Sequence, residues 1–319
     1  MNTGKVLSAI KKAKVFLIST HQNPDPDALC SELAVSIFLR QLGKKVHIVN
    51  TEDVPKRFLF LPQVKQIKAY KPTIKIDYDA ALILDCGDLD RIEKVQNLLH
   101  PKKTIINIDH HITNTQFGHI NLVKEKASST CEVLFELIRE AKGKLTDDLA
   151  YHLYTGIMTD TGSFRYENTS AYTHQVAAEL RHYHFNADDI YRQIYESVPL
   201  NNLLEASKVI SQMEHYFGGK AIFLKLYDKE VKKFSEDMDL RDTLFKFLRL
   251  IKGVEVFVIL TEIKKNETRV NFRSAHYVDV AHIASHFGGG GHKRASGCVV
   301  NADMNQAQKE VLKVVRKAI

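Results

Sequence analysis

The sequence predicts an α/β protein in two domains: an N-terminal domain with a mainly parallel sheet flanked by helices, then a helical connector and a smaller C-terminal α/β domain with a mixed sheet. Two observations predict this. The chain has 319 residues, long for one compact core and comfortable for two. Short β-branched runs alternate with helical repeats through the first half, the pattern of strands buried on both faces between crossover helices. The formal charge of +7 is also uneven, with 25 Lys and Arg against 25 Asp and Glu in residues 1–205 and 20 against 13 in residues 206–319.

In chain order, Val15-Phe-Leu-Ile-Ser, Lys45-Val-His-Ile-Val, Ala80-Ala-Leu-Ile-Leu and Thr104-Ile-Ile-Asn-Ile are the predicted strands. Between the first two, Ala28 to Leu42 repeats apolar residues at Leu29, Leu33 and Ile37 and closes on Gly43, a natural helix C-terminus. A later helix opens at Ser129-Thr-Cys-Glu132, the spacing of a capping box, and another spans Leu145 to Met158. The expected domains are 1–186, a connector 187–213 broken near Ser197-Val-Pro-Leu-Asn-Asn, and 214–319. In the last, Ala221 to Leu226, Val254 to Leu260 and Arg269 to Arg273 read as strands. Asp242 to Ile251, Asp279 to Phe287 and Met304 to Ile319 read as helices.

No apolar run approaches the roughly 18 residues that a membrane span needs, and Val15 to Ile18 is too short for a secretory signal, so a soluble cytoplasmic protein is expected. Cys30, Cys86, Cys131 and Cys298 lack CxxC spacing, which argues for packed, reduced thiols over a zinc knuckle or disulfide framework. A basic C-terminal half suits an anionic ligand, gripped there while the other domain acts on it. A solvated basic face is the plainer alternative.

Metal-type side chains end the apolar runs: His21, Asp25 and Asp27 after the first strand, Asp85 after the third, Asp109-His110-His111 after the fourth, and Asp160 after a helix. In open α/β sheets the carboxyl ends of strands converge on one edge, so these residues are expected to meet. Carboxylates with imidazole suit hard divalent cations. Four aspartates gathered without cations would repel by roughly 3 kcal/mol per pair at about 5 Å and an effective dielectric near 20, comparable in sum with the ~5–15 kcal/mol that stabilises a domain. Pro24 and Pro26 pre-set the backbone that presents Asp25 and Asp27. The competing reading is a plain turn in which Asp27 caps the next helix. Asp85 is placed to bridge two cations, whereas Asp88 reads as a loop or cap residue. Of the adjacent imidazoles one suits ligation and the other a phosphate contact, with Asp109 as the acceptor that orients a ring.

Together these stretches resemble the DHH-family phosphoesterases, named for Asp109-His110-His111. His21-x-x-x-Asp25-x-Asp27 looks like the first motif, Asp85 the second and Asp160 in Thr159-Asp-Thr-Gly the fourth. Gly288-Gly-Gly-Gly-His292-Lys-Arg-Ala-Ser-Gly297 resembles the signature of the DHH-associated C-terminal domain. The resemblance implies two Mn²⁺ ions, with Mg²⁺ or another divalent ion as substitutes. One would be held by His21, Asp25 and Asp85, the other by Asp27, Asp85, His110 and Asp160. Asp85, Asp109 and His111 are then the catalytic set, with His111 on the scissile phosphate. Arg273, Gly289, Gly290, Gly291, His292, Lys293 and Arg294 are the substrate-binding set. A flexible surface loop is the alternative for the glycines, and a structural ion pair for Arg273. Cys30 stands where the family commonly has a small residue.

The implied function is hydrolysis of short RNA or DNA oligonucleotides to nucleoside 5′-monophosphates, together with removal of the 3′-phosphate of 3′-phosphoadenosine 5′-phosphate (pAp). A cyclic- or linear-dinucleotide phosphodiesterase is the near alternative, and a nucleotide-binding sensor the non-enzymatic one. The expected partners are these oligonucleotides and mononucleotide bisphosphates, with no membrane; a homodimer is the candidate assembly.

Overall fold

The computed structural model describes residues 2–234 and 240–319, without the side chain of Asp242. The chain divides into two compact units, Met1–Glu196 and Ser197–Ile319.

The first unit carries strands β1 (Val15–Ser19), β2 (Lys45–Asn50), β3 (Ile67–Ala69), β4 (Ala80–Leu84), β5 (Thr104–Asp109) and β6 (Ile120–Val123). Its helices are α1 (Asn2–Lys12), α2 (Pro26–Gln41), α3 (Thr130–Glu140), α4 (Asp147–Asp160), α5 (Ala171–Leu180) and α6 (Ala187–Tyr195). The six strands form one sheet in the order β3-β2-β1-β4-β5-β6, with every pairing parallel. After β1 the chain winds to one side through β2 and β3, then returns to lay β4 on the other side. The strand order therefore reverses between β1 and β4, where ligands bind in such sheets.

Alternation along each strand feeds two cores. Phe16, Ile18, Leu82, Leu84, Ile106 and Ile108 pack with α2, α3 and α4 residues such as Leu33, Leu134 and Leu153. Leu17, Ala81 and Ile83 face the opposite layer with Tyr78, Ile92 and Val95. This two-faced burial is why these strands are apolar without interruption. α2 is buried along most of its length, because α3, α4 and the sheet cover it.

Two local expectations change. The helix predicted from Ala28 begins at Pro26, with Asp25 as its N-cap accepting from Ala28 N at 3.0 Å. Proline fits there because the first turn needs no N–H donor. At Ser129 only half of the capping box forms: Ser129 accepts from Glu132 N at 3.1 Å, while the Glu132 carboxylate turns to the Ser128 hydroxyl at 2.6 Å. A closer hydroxyl thus takes the carboxylate.

The second unit carries α7 (Leu200–Ile210), β7 (Glu214–Tyr216), β8 (Ala221–Leu226), α8 (Asp228–Val231), α9 (Leu240–Leu248), β9 (Val256–Lys264), β10 (Glu267–Ser274), α10 (Val280–Ser285), β11 (Gly290–His292), β12 (Ala295–Val300) and α11 (Met304–Ala318). Its sheet is mixed, in the order β11-β12-β10-β9-β8-β7, with β8 and β9 parallel and the other pairs antiparallel. Phe223, Val258 and Phe272 pack against α10 and α11, while Ile222, Leu224 and Phe257 face α7 and α9.

The glycine run is the strand β11 and its approach, hairpinned onto β12, so the alternative of a flexible loop does not hold at Gly290–His292. An added Cβ at Gly289 would lie 2.3 Å from Gly297 O, and one at Gly291 2.6 Å from Ala295 O, whereas Gly290 faces open space. Two of these glycines are thus required by close strand packing. All four cysteines are buried and free.

Candidate active site

The ends of β1, β4 and β5, with α2, α3 and α4, bring the sequence-predicted ligands together. Ligand atoms lie within 4.8 Å of one another in three sets: His21, Asp25 and Asp85; Asp27, His110 and Asp160; and Asp85, His110 and His111. Asp85 is shared. Its Oδ2 is 3.5 Å from His21 Nε2, and its Oδ1 is 3.6 Å from His110 Nε2.

Local backbone chemistry aims each group. Thr20 Oγ1 donates to Leu84 O at 2.8 Å and ties the end of β1 to that of β4. His21 Nδ1 donates to Gln22 O at 2.8 Å, which commits Nε2 to face Asp85. His110 Nδ1 points to Ala127 O at 3.4 Å, and its Nε2 lies 3.5 Å from Asp160 Oδ2. Asp85 adopts a left-handed backbone, φ +49°, a strain of order 1–3 kcal/mol that surrounding structure must hold in place. The Asp85 N–H donates to Ile108 O at 3.0 Å and extends the β4–β5 ladder by one residue. Asp160 ends α4, where the helix dipole disfavours an anion.

Asp27 lies in the second of these ligand sets, and as a cap it serves α3, not α2. Its Oδ2 accepts from Thr130 N at 2.8 Å and its Oδ1 from Cys131 N at 3.1 Å, at the start of α3. Asp25, not Asp27, caps α2. Asp88 caps the short helical segment after β4, accepting from Asp90 N at 2.9 Å, as its sequence context suggested.

His111 is oriented by a polar chain that runs from the half-buried Asn114 to the buried Asp109 and Asn107. Its Nδ1 meets Asp109 Oδ1 at 2.7 Å, Asp109 Oδ2 accepts from Asn114 Nδ2 at 2.6 Å, and Asn114 Nδ2 also reaches Asn107 Oδ1 at 2.8 Å. Asn107 is anchored in turn to Ile83 O and Cys86 O, both at 3.1 Å.

The electrostatics fit divalent cations. Burial pushes Asp27 well above the usual carboxylate range, and the Asp85 and Asp160 charges push it further. Burial likewise takes Asp160 up to about 7, despite His110 beside it. Burial also opposes charge on His21 and His110, yet Asp85 and Asp25 around the first, and Asp160 and Asp85 around the second, raise each ring to about 9. Burial works against the Asp85 anion, but His21, His110 and His111 hold it far below the ordinary range. The donors are carboxylate oxygens and imidazole nitrogens, the hard ligands that Mn²⁺, Mg²⁺ or Zn²⁺ take.

Thr130, Asn107, Asn114 and Gly156 also shape the site, although no motif marks them in the sequence. Thr130 Oγ1 donates to Asp85 Oδ1 at 2.8 Å. A Cβ on Gly156 would lie 2.3 Å from Cys131 Sγ and 2.5 Å from Asp27 Oδ1, so α4 approaches the site only because that residue is glycine. The capping motif at Ser129 was the one sequence signal near any of them.

In the second unit, β10 and β12 place Arg273 opposite Ala295, and Ser274 N donates to Arg294 O at 3.1 Å. Arg273 therefore sits beside the turn that carries Lys293 and Arg294. Its guanidinium lies 4.9 Å from the Phe245 ring centre. Arg294 Nη1 is 3.4 Å from both Ser274 Oγ and Val278 O, so part of its donor capacity serves the fold. Gly290, Gly291 and His292 are exposed along β11.

Residues 15–157 match the DHH family, N-terminal domain, and residues 218–319 match the DHHA1 domain. A Thermus thermophilus protein named bifunctional oligoribonuclease and PAP phosphatase NrnA is 32% identical over 319 residues, covering 99% of this chain and 93% of its own. The Bacillus subtilis protein of the same name is 29% identical over 307 residues, covering 93% and 92%. Among solved structures, an exopolyphosphatase-related protein from Bacteroides fragilis aligns with a TM-score of 0.89 at 26% identity, covering 99% of this chain and 95% of its own.

Proposed function

This chain belongs to the DHH family, and from that membership we propose that it hydrolyses short 5′-phosphorylated oligonucleotides to nucleoside 5′-monophosphates and removes the 3′-phosphate of pAp. It is a metal-dependent hydrolase of phosphodiester and phosphate bonds. The observation that carries the reading is Asp85, whose two oxygens face two different ligand sets at the point where the sheet order reverses.

His21, Asp25 and Asp85 would hold one ion, and Asp27, Asp85, His110 and Asp160 the other. When bound, paired cations lower the pKa of a water for attack on phosphorus and stabilise the departing oxygen. The protein's own groups supply orientation. Asp109 orients the His111 ring through Nδ1, and in this reading the imidazole donates to the scissile phosphate. Asp109 keeps that ring in place and stabilises its charge. Cleavage of an internucleotide link and removal of a 3′-phosphate both break a phosphorus–O3′ bond, so one site serves both reactions.

In the same reading residues 1–186 form the catalytic domain, 187–213 a connector and 214–319 the substrate-binding domain. Arg273, His292, Lys293 and Arg294 hold substrate anions there, beside the backbone of Gly289, Gly290 and Gly291. Mn²⁺ is the proposed ion, in keeping with a donor set of carboxylates and imidazoles. A cytoplasmic location is in keeping with the absence, among the described residues, of any helix long and apolar enough to cross a membrane. The homodimer belongs to the same proposal and is checked by light scattering.

The test is a panel of a dinucleotide, a longer oligomer, pAp and cyclic di-AMP with Mn²⁺. Turnover of the dinucleotide and pAp above the other two is the expected result. Preference for the cyclic dinucleotide, or tight nucleotide retention without product, would replace the reading.

A further inference from the structure

We propose that Thr130 is a positioning residue: its hydroxyl fixes the rotation of the Asp85 carboxylate, so that one oxygen serves each ligand set. The inference rests on the two-metal reading and adds a residue to it. A carboxylate turns readily about its last side-chain bond, because that torsion is broad and nearly two-fold. Asp85 nevertheless needs a definite orientation, with Oδ2 toward His21 and Oδ1 toward His110. Thr130 Oγ1 has one proton and donates it to Oδ1 at 2.8 Å, which breaks that freedom.

Thr130 is itself held firmly. It is fully buried at the first position of α3, after the Ser129 cap, and its backbone N–H donates to Asp27 Oδ2 at 2.8 Å. One residue thereby touches the shared carboxylate through its side chain and a carboxylate of the other set through its backbone. A residue that merely began the helix would need no hydroxyl, since Ser129 already provides the cap. The hydroxyl contacts Asp85 from a position 45 residues away in sequence, which gives it a purpose in the site.

The test compares Thr130→Val, which keeps the shape and the backbone N–H but loses the donor, with Thr130→Ser, which keeps the donor. Mn²⁺ binding to the metal-free protein is read by equilibrium dialysis with elemental analysis, alongside thermal unfolding of the same metal-free samples. Outer-shell partners of metal ligands typically matter by about 10–100-fold. Thr130→Val is expected to weaken at least one of two Mn²⁺ sites by that factor, and Thr130→Ser to stay within about threefold of the unmodified protein. Thr130→Ala carries the expectation of the valine variant if that one does not fold.

Two Mn²⁺ bound at unmodified affinity by the valine or alanine variant would overturn the inference. So would a serine variant as poor as valine, since shape would then be what matters. An unmodified protein that binds no Mn²⁺ would instead remove the two-metal reading beneath it.

Discussion

Replacing Asp85 by asparagine removes one charge and little else. Asparagine has the shape of aspartate and tolerates the left-handed backbone at φ +49°, whereas alanine there would add roughly 1–2 kcal/mol of strain. The amide still accepts from Thr130 through its oxygen. What vanishes is a negative charge that is 2% exposed and within 3.6 Å of imidazole nitrogens from both ligand sets. At an effective dielectric near 20, a unit charge about 4 Å away contributes about 4 kcal/mol per unit of cationic charge. That corresponds to about three orders of magnitude in affinity for a bound ion, and more for a divalent one. Asp85→Asn should therefore lose at least ~10³-fold in turnover of a dinucleotide at limiting Mn²⁺, with bound metal by dialysis falling below two ions per chain. Its metal-free unfolding transition should stay cooperative, because the neighbouring core residues Leu84 and Ile108 are untouched. Near-normal turnover with both ions retained would refute the shared carboxylate.

Three further outcomes follow from neighbouring features. Gly156→Ala should destabilise the protein by about 1–3 kcal/mol in denaturant unfolding, because the new methyl meets Cys131 Sγ and Asp27 Oδ1; an unchanged midpoint would show that α4 moves aside freely. Burial raises Glu32 to about 8 despite the Asn50 amide bonded to it at 2.8 Å, so the folded state holds a proton that the unfolded chain releases above its ordinary value of 4.5. Stability from this group is then present at low pH and lost as pH rises from about 4.5 to about 8. Glu32→Gln should flatten that part of the urea-unfolding profile, and a profile of unchanged slope would count against a neutral Glu32. Arg273→Ala should raise KM for a 5′-phosphorylated dinucleotide by about 10–100-fold with kcat changed far less, the pattern of lost binding; an equal fall in kcat and kcat/KM would place Arg273 in the chemistry instead.

The ends of β1, β4 and β5 were legible because uninterrupted apolarity marks a strand buried on both faces, and a carboxylate or imidazole that stops such a run is conspicuous. Asp85 and Asp109 announce themselves in this way. The short strands β3, β6, β7 and β11 were not legible, since three or four residues carry no usable period. The supporting groups were hidden for another reason. Thr130, Asn107 and Asn114 belong to residue types common in turns and caps, and their significance arises only when folding brings Asp27, Asp85 and Asp109 against them. As a cap, Asp27 points from its sequence context to its own helix, but the helix it caps begins 103 residues further on. Gly156 gave no signal, because a glycine inside a helix looks like a local weakness until its neighbour across the interface is known.

The hairpin made by β11 and β12 changes how the glycine signature should be interrogated. Since Gly289 and Gly291 are spoken for by the adjoining strand, altering them would chiefly report damage to the scaffold. Gly290 has vacant surroundings and an ordinary backbone, so a methyl introduced there leaves the scaffold alone. A loss of nucleotide affinity in that variant would be the cleanest sign that an outside molecule, and not the neighbouring strand, needs the bare peptide.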